Sequence, residues 1–157
     1  MKDLLQQTWF RITLKVLVCI IAVYALVCAD VLLRARSAYL EGEKYWSWHQ
    51  NPALKEAVLS KEFETAKAAL DTRKAAGKLN DEAYAQKLNT IQFEYERRRE
   101  DSAIKYAYIW YQTAVELFTP PESKWVIRSR EKMAQAKELW RQELKAKNIP
   151  FEEYMLD

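Results

Sequence analysis

Residues 16–33 form an 18-residue apolar run in which Asp30 is the one charged side chain, closed by Lys15 before and Arg34 after. As a helix rising 1.5 Å per residue it covers about 27 Å, close to the ~30 Å hydrocarbon thickness of a bilayer. The run therefore predicts a single transmembrane helix. Amphipathic rings favour the headgroup layers, so Trp9 and Phe10 on one side and Tyr45, Trp46 and Trp48 on the other are the expected membrane-interface residues. Lys15, Arg34 and Arg36 are placed to snorkel outward. Val27, Cys28 and Ala29 also fit the small-residue pattern of a signal-peptide cleavage site. The long polar head before the run favours a retained anchor.

Inside the run, Val18, Ala22, Ala25 and Ala29 recur at spacings of 4, 3 and 4, which lines small side chains along one stripe. In lipid, small stripes let a second helix approach closely, so these four residues with Asp30 are the expected membrane partner face. Asp30 also stands four residues before Arg34, the spacing of an intrahelical ion pair. Cys19 and Cys28 are nine residues apart and fall on opposite helix faces, where they cannot share a metal. Positive residues near the two ends balance: Lys2, Arg11 and Lys15 against Arg34, Arg36 and Lys44. The short N-terminal tail tips the expectation toward a domain on the non-cytoplasmic side of a bacterial inner membrane or its organelle equivalent.

Two Gly and four Pro in 157 residues starve turns and hairpins. The expected fold class is therefore all-α. Residues 34–157 hold 22 of the 25 Lys and Arg and 20 of the 22 acids, a near balance that does not point to nucleic acid. Arg97, Arg98 and Arg99 are bracketed by Glu94, Glu96, Glu100 and Asp101, which cancel most of their field over a Debye length of about 8 Å. Both cysteines lie in the apolar run, so no disulfide framework supports the rest.

Start and stop signals divide the remainder. Residues 1–15 are a tail and interfacial segment, 34–50 a juxtamembrane extension of the membrane helix, and 51–148 a helical domain. Asn51 and Pro52 open a helix over 51–77 with Leu54, Val58, Phe63, Ala66 and Leu70 on its face, and Gly77 ends it. Asn80, with Asp81 and Glu82 in the first turn, opens the next, and Tyr84, Leu88, Ile91 and Tyr95 continue its stripe. No strong breaker precedes Thr119, which predicts one long central helix over 80–118, about 57 Å in length. Thr119, Pro120, Pro121 and Glu122 read as a capping box opening a third helix over 120–147, with Val126, Met133, Ala136, Trp140 and Leu144 buried. Residues 149–157 are a docking tail. The expectation is one transmembrane helix followed by a domain of about three helices.

Within 70–91, Gly77, Leu79, Asp81, Glu82, Tyr84, Lys87 and Leu88 stand at offsets similar to those of the short helical hairpins called SHOCT domains. The resemblance covers a short mid-chain stretch, implies a helix pair and implies no chemistry.

Catalytic equipment is not apparent. The single histidine, His49, lies between Trp48 and Gln50 and reads as a polar interfacial residue; a metal site wants two or three further His or Cys. A nucleophile–His–acid arrangement cannot be assembled around it, and Gly42 and Gly77 make no phosphate-cradling loop. Haem would have to draw on His49, Met133 or Met155. The chain is accordingly expected to carry no cofactor or metal, to take no small-molecule substrate and to be no enzyme. Its most unusual segment holds Tyr106, Tyr108, Trp110, Tyr111 and Phe118, which cover more than one helix stripe; Phe151 and Tyr154 add a smaller cluster in the tail. Such rings dominate binding hot spots, so these seven are the expected protein interface. The resulting expectation is a non-catalytic accessory or scaffold subunit of a larger membrane complex, with other subunits and the bilayer as partners. The alternative is a homo-oligomeric membrane-anchored tether or envelope-spanning linker, which would require heptads that Arg97, Arg98, Arg99 and Glu100 interrupt.

Overall fold

The computed structural model describes residues 8–153, and among these the chain is all-α with five helices: α1 Thr8–Gln50, α2 Pro52–Ala75, α3 Asp81–Glu100, α4 Ala103–Leu117 and α5 Lys124–Ala146. Two bodies share α1. Its outer part packs with α4 and α5 into a three-helix bundle, while α2 and α3 pair as a hairpin that joins the bundle through the start of α2.

The first half of α1 is long and apolar enough to cross a membrane, and none of the other described residues covers it. Eleven large apolar side chains between Val16 and Leu33 are exposed. Beyond Arg34 the helix changes character, because Ala35 and Ala38 are buried and Gly42 with them. These small residues at spacings of 3 and 4 let α4 settle against α1. The approach is closest at Gly42, where an added Cβ would lie 2.5 Å from Cε1 of Tyr111. From α4 the core takes Ile104, Ala107, Tyr108, Tyr111 and Ala114, and from α5 Val126 and Ala136; Met133, Leu139 and Trp140 pack against this cluster.

The hairpin has a thinner interior. Leu59 and Leu70 are its buried residues, and no side chain of α3 is fully buried. Leu54, expected on the buried face, stays 42% exposed, and Leu59 takes that role. Polar and ring contacts do much of the joining. Tyr84 donates to Asp71 (2.6 Å), Tyr95 to Glu56 (2.5 Å) and Arg98 to Glu62 (2.6 Å), while the Phe63 and Tyr95 rings lie 5.2 Å apart. The ends follow local chemistry. Asn51 and Asn80 accept from the amides of Leu54 and Ala83, and Gly77 takes φ 66°, a left-handed value that closes α2.

Two helix expectations are corrected. The long central helix is two helices, so four rather than about three follow α1. Ser102 adopts an extended ψ of 115° and its hydroxyl accepts from the Lys105 amide at 3.2 Å, which starts α4 afresh. The arginine run forms the last turn of α3, where cations complement the negative helix end. The third start is also displaced. Ser123, not Thr119, caps α5 by accepting from the Val126 amide at 3.3 Å, and Pro120 and Pro121 lie in the preceding loop. A residue before proline is pushed out of the α region, so Pro120 cannot be helical ahead of Pro121.

Candidate functional site

The membrane stripe stands open. Val18, Ala22, Ala25 and Ala29 are all exposed, and Asp30 is ion-paired with Arg34 on its own helix at 2.7 Å. Trp9 is exposed, and its ring meets Phe10 edge-on at 6.2 Å.

Tyr45, Trp46 and Trp48 are not placed as a headgroup belt. Trp48 is 4% exposed, Tyr45 stacks on Tyr106 at 5.3 Å, and Trp46 lies 6.4 Å from Tyr111. Tyr45 is twelve residues past Leu33, about 18 Å along the helix. At that height the bundle surrounds these rings. His49 is half-buried at the same level, in a cleft it shares with Lys55, Glu143 and Lys147.

The aromatic segment of α4 is likewise turned inward, which corrects the interface expectation for its central members. Tyr108 packs on Trp140 at 5.7 Å, and both Tyr108 and Tyr111 are buried. The Tyr111 ring fills the space left by Gly42 on α1, while Tyr108 is covered from α5. Tyr106, Trp110, Phe118 and Phe151 are half-buried, and Tyr154 lies outside the described residues. The tail is drawn back onto α5 by Glu153, whose carboxylate accepts two bonds from Arg141, at 2.8 and 3.2 Å.

The most strongly perturbed group in the bundle is the Tyr111 hydroxyl. It donates to Glu43 at 2.6 Å, and Lys132 approaches the same carboxylate at 3.2 Å while sitting 4.5 Å over the Trp46 ring. Burial first, then the bond to Glu43 and its charge, raise the tyrosine pKa far above its ordinary value. A hydroxyl held so firmly in its neutral form is a hydrogen-bond donor rather than a base. The group locks α1 to α4 and α5.

A second polar cluster sits where the hairpin meets the bundle. Lys55 donates to the carbonyls of Arg99 and Asp101, both at 2.7 Å, and so closes the end of α3 at the break. Ser102 donates to Glu143 at 2.5 Å, which in turn pairs with Lys147. A cleft between Lys55, Trp48 and Tyr106 measures about 160 Å³, and an open one beside it, lined by His49, Ser102, Glu143 and Lys147, about 420 Å³; the first is below the usual 300–1,000 Å³ of small-molecule sites and the second within it. Lys55, Arg97 and Tyr106 engage Asp101, and Ser102 and Lys147 engage Glu143. Among the described residues no three His, Cys, Asp or Glu converge as a metal-ligating set.

Two surface features were missed by sequence reasoning. Phe93, on the outer face of α3, is 64% exposed; an aromatic off the Tyr84, Leu88, Ile91 and Tyr95 stripe of a polar helix was its signal. Trp125, at the start of α5, has three cations within 6 Å of its ring centroid: Lys124 at 4.8 Å, Arg128 at 5.7 Å and Arg36 at 5.9 Å. Arg36 comes from a distant segment, so no local spacing announced the cluster. No protein-family model matches the chain, and no curated protein or solved structure matches it significantly.

Proposed function

We propose that the chain is a non-catalytic accessory or scaffold subunit of a larger membrane complex. In this reading residues 16–33 cross the bilayer of a bacterial inner membrane or organelle equivalent. The α1–α4–α5 bundle stands on the surface, on the non-cytoplasmic side, and the α2–α3 hairpin reaches out to partner subunits. One observation carries the reading: eleven large apolar side chains on α1 have no protein cover. Complete withdrawal of such a side chain from water is worth roughly 2 kcal/mol, and with 39–71% of each still exposed the eleven together stand to gain on the order of 10 kcal/mol by leaving it. That is comparable to the 5–15 kcal/mol that holds a typical domain folded, and it favours a solvent other than water.

The hairpin supports the partner role. It extends about 30 Å by helix rise, is attached to the bundle only at its base, and shows Phe93 to solvent. With Tyr108 and Tyr111 consumed by the core, the contact surface moves from α4 to this arm. Extraction from native membrane in mild detergents tests the idea. Co-elution with other chains, weakened by Phe93→Ser, is expected; elution as a lone monomer in several detergents would overturn it. A homo-oligomeric tether would instead give cross-links between copies at position 93. The break at Ser102 weighs against that alternative, because it shortens the rod expected over 80–118 from about 57 Å to the roughly 30 Å of α3.

A further inference from the structure

We propose that the end of the bundle where α4 turns into α5 docks on the anionic headgroups of the same bilayer that α1 crosses. The proposal rests on the membrane-spanning reading of residues 16–33. Its geometry follows from antiparallel pairing. Tyr45 stacks on Tyr106 and Tyr39 lies 6.1 Å from Tyr111, so α4 descends as α1 rises. Leu117 is six residues, about 9 Å, beyond Tyr111, and Leu33 is six residues, about 9 Å, before Tyr39. The end of α4 therefore comes down to the level where the apolar run stops. The Tyr39–Trp125 contact at 5.4 Å and the Arg36–Trp125 contact fix the start of α5 at nearly the same height.

The chemistry of this end suits a lipid surface. Leu117, at the end of α4 beside the loop that faces the bilayer, is 70% exposed. Above it Arg36, Lys124 and Arg128 gather around Trp125, all three exposed, and none has an ion-pair partner among the described residues. Of the acids near them in sequence, Glu122 pairs with Arg130 at 2.5 Å, Glu41 with Lys44 and Asp30 with Arg34, while Glu131 stands one turn above Arg128. No acid occupies the first turn of α5, although the positive helix end favours one there and disfavours Lys124. A positive cluster with the exposed Leu117 beneath it, set just past the hydrocarbon boundary, is complementary to phospholipid phosphates over acyl chains. Docking would hold the bundle upright and set the direction in which the hairpin points.

The test uses the full chain carrying Cys19→Ser and Cys28→Ser, with a bimane probe on Leu117→Cys, Ile127→Cys, Val23→Cys or Gln135→Cys in separate samples. Each is reconstituted into vesicles of brominated phosphatidylcholine alone or with roughly a third phosphatidylglycerol, enough to give an anionic surface. The probe at 117 should be quenched in the anionic vesicles and much less in the neutral ones, with 23 quenched in both and 127 and 135, which stand higher on α5, in neither. Each cation near such a surface is worth roughly fivefold, so Arg36→Gln, Lys124→Gln and Arg128→Gln together should lower the docked-to-undocked ratio about a hundredfold. Quenching at 23 without quenching at 117 would overturn the docking while leaving the anchor intact. Equal quenching of 117 in both vesicle types would overturn the role of anionic headgroups. Absence of quenching at 23 would remove the anchor, and the docking with it.

Discussion

Replacing Gly42 by alanine places a methyl group 2.5 Å from Cε1, 2.7 Å from Cδ1 and 3.0 Å from Cζ of Tyr111. Carbon atoms rest at about 3.5–4.0 Å, so the ring must retreat by roughly 1 Å or the two helices must separate. The ring has little room to move. Its hydroxyl is tied to Glu43, Tyr39 and Trp46 border it, and the residue is completely buried. Overpacking of this kind costs about 1–3 kcal/mol, while the Gly-to-Ala change inside a helix returns about 1 kcal/mol. The expected net loss is up to about 2 kcal/mol, or up to about 8 °C in the melting temperature of a domain this size. Near-UV circular dichroism of the detergent-solubilised protein, which reports the packed rings, is the measurement. The sharper check is a change of sign. In a Tyr111→Ala background the obstruction is gone, and Gly42→Ala should then stabilise by about 0.5–1 kcal/mol through helix propensity alone. If Gly42→Ala raised the melting temperature with Tyr111 in place, the close approach of α1 and α4 at this point would be refuted.

The raised Tyr111 pKa also sets a pH dependence. An unfolded tyrosine ionises near 10 and the folded one well above it, so the contribution to stability is complete below about pH 10 and is lost as pH rises further. Tyr39 and Tyr106, raised chiefly by burial, add in the same direction. Denaturant titrations from neutral pH into alkali should show this fall, and Tyr111→Phe should flatten part of it at the cost of about 1–2 kcal/mol at neutral pH from the lost bond to Glu43. Lys55→Met removes both charge-assisted bonds at the end of α3 and should cost about 2 kcal/mol. Amide exchange should quicken in α3 and not in α5; uniform quickening would argue against Lys55 as the joint between hairpin and bundle. Phe93→Ser should leave stability within about 0.5 kcal/mol, as exposed positions do, while lowering recovery of bound chains. A large drop in melting temperature would instead assign Phe93 to packing.

How much of this was legible in residue order depends on the range of the force involved. A candidate span is a local property, because a bilayer has one thickness and eighteen apolar residues either match it or do not. The all-α class and the caps at Asn51, Asn80 and Gly77 are local as well, each resting on hydrogen bonds within a few residues. The break at Ser102 is local in mechanism but not in outcome. Serine is tolerated inside a helix at a few tenths of a kcal/mol, and here Lys55 and Glu143, each more than forty residues away, engage the backbone and hydroxyl that the break sets free.

The aromatic residues mark the limit. An amphipathic ring satisfies a headgroup layer, a partner's pocket or a core equally well, so composition alone could not assign Tyr45, Trp48, Tyr108 or Tyr111. The antiparallel seating of α4 on the small stripe of α1 decided it, joining positions 69 residues apart at Gly42 and Tyr111. The cations around Trp125 were settled the same way, since Arg36 reaches the ring only when α5 lies beside α1. Sequence by itself determined what each segment could bury; tertiary structure decided what each was buried against, because that choice belongs to pairs of distant surfaces and not to any one of them.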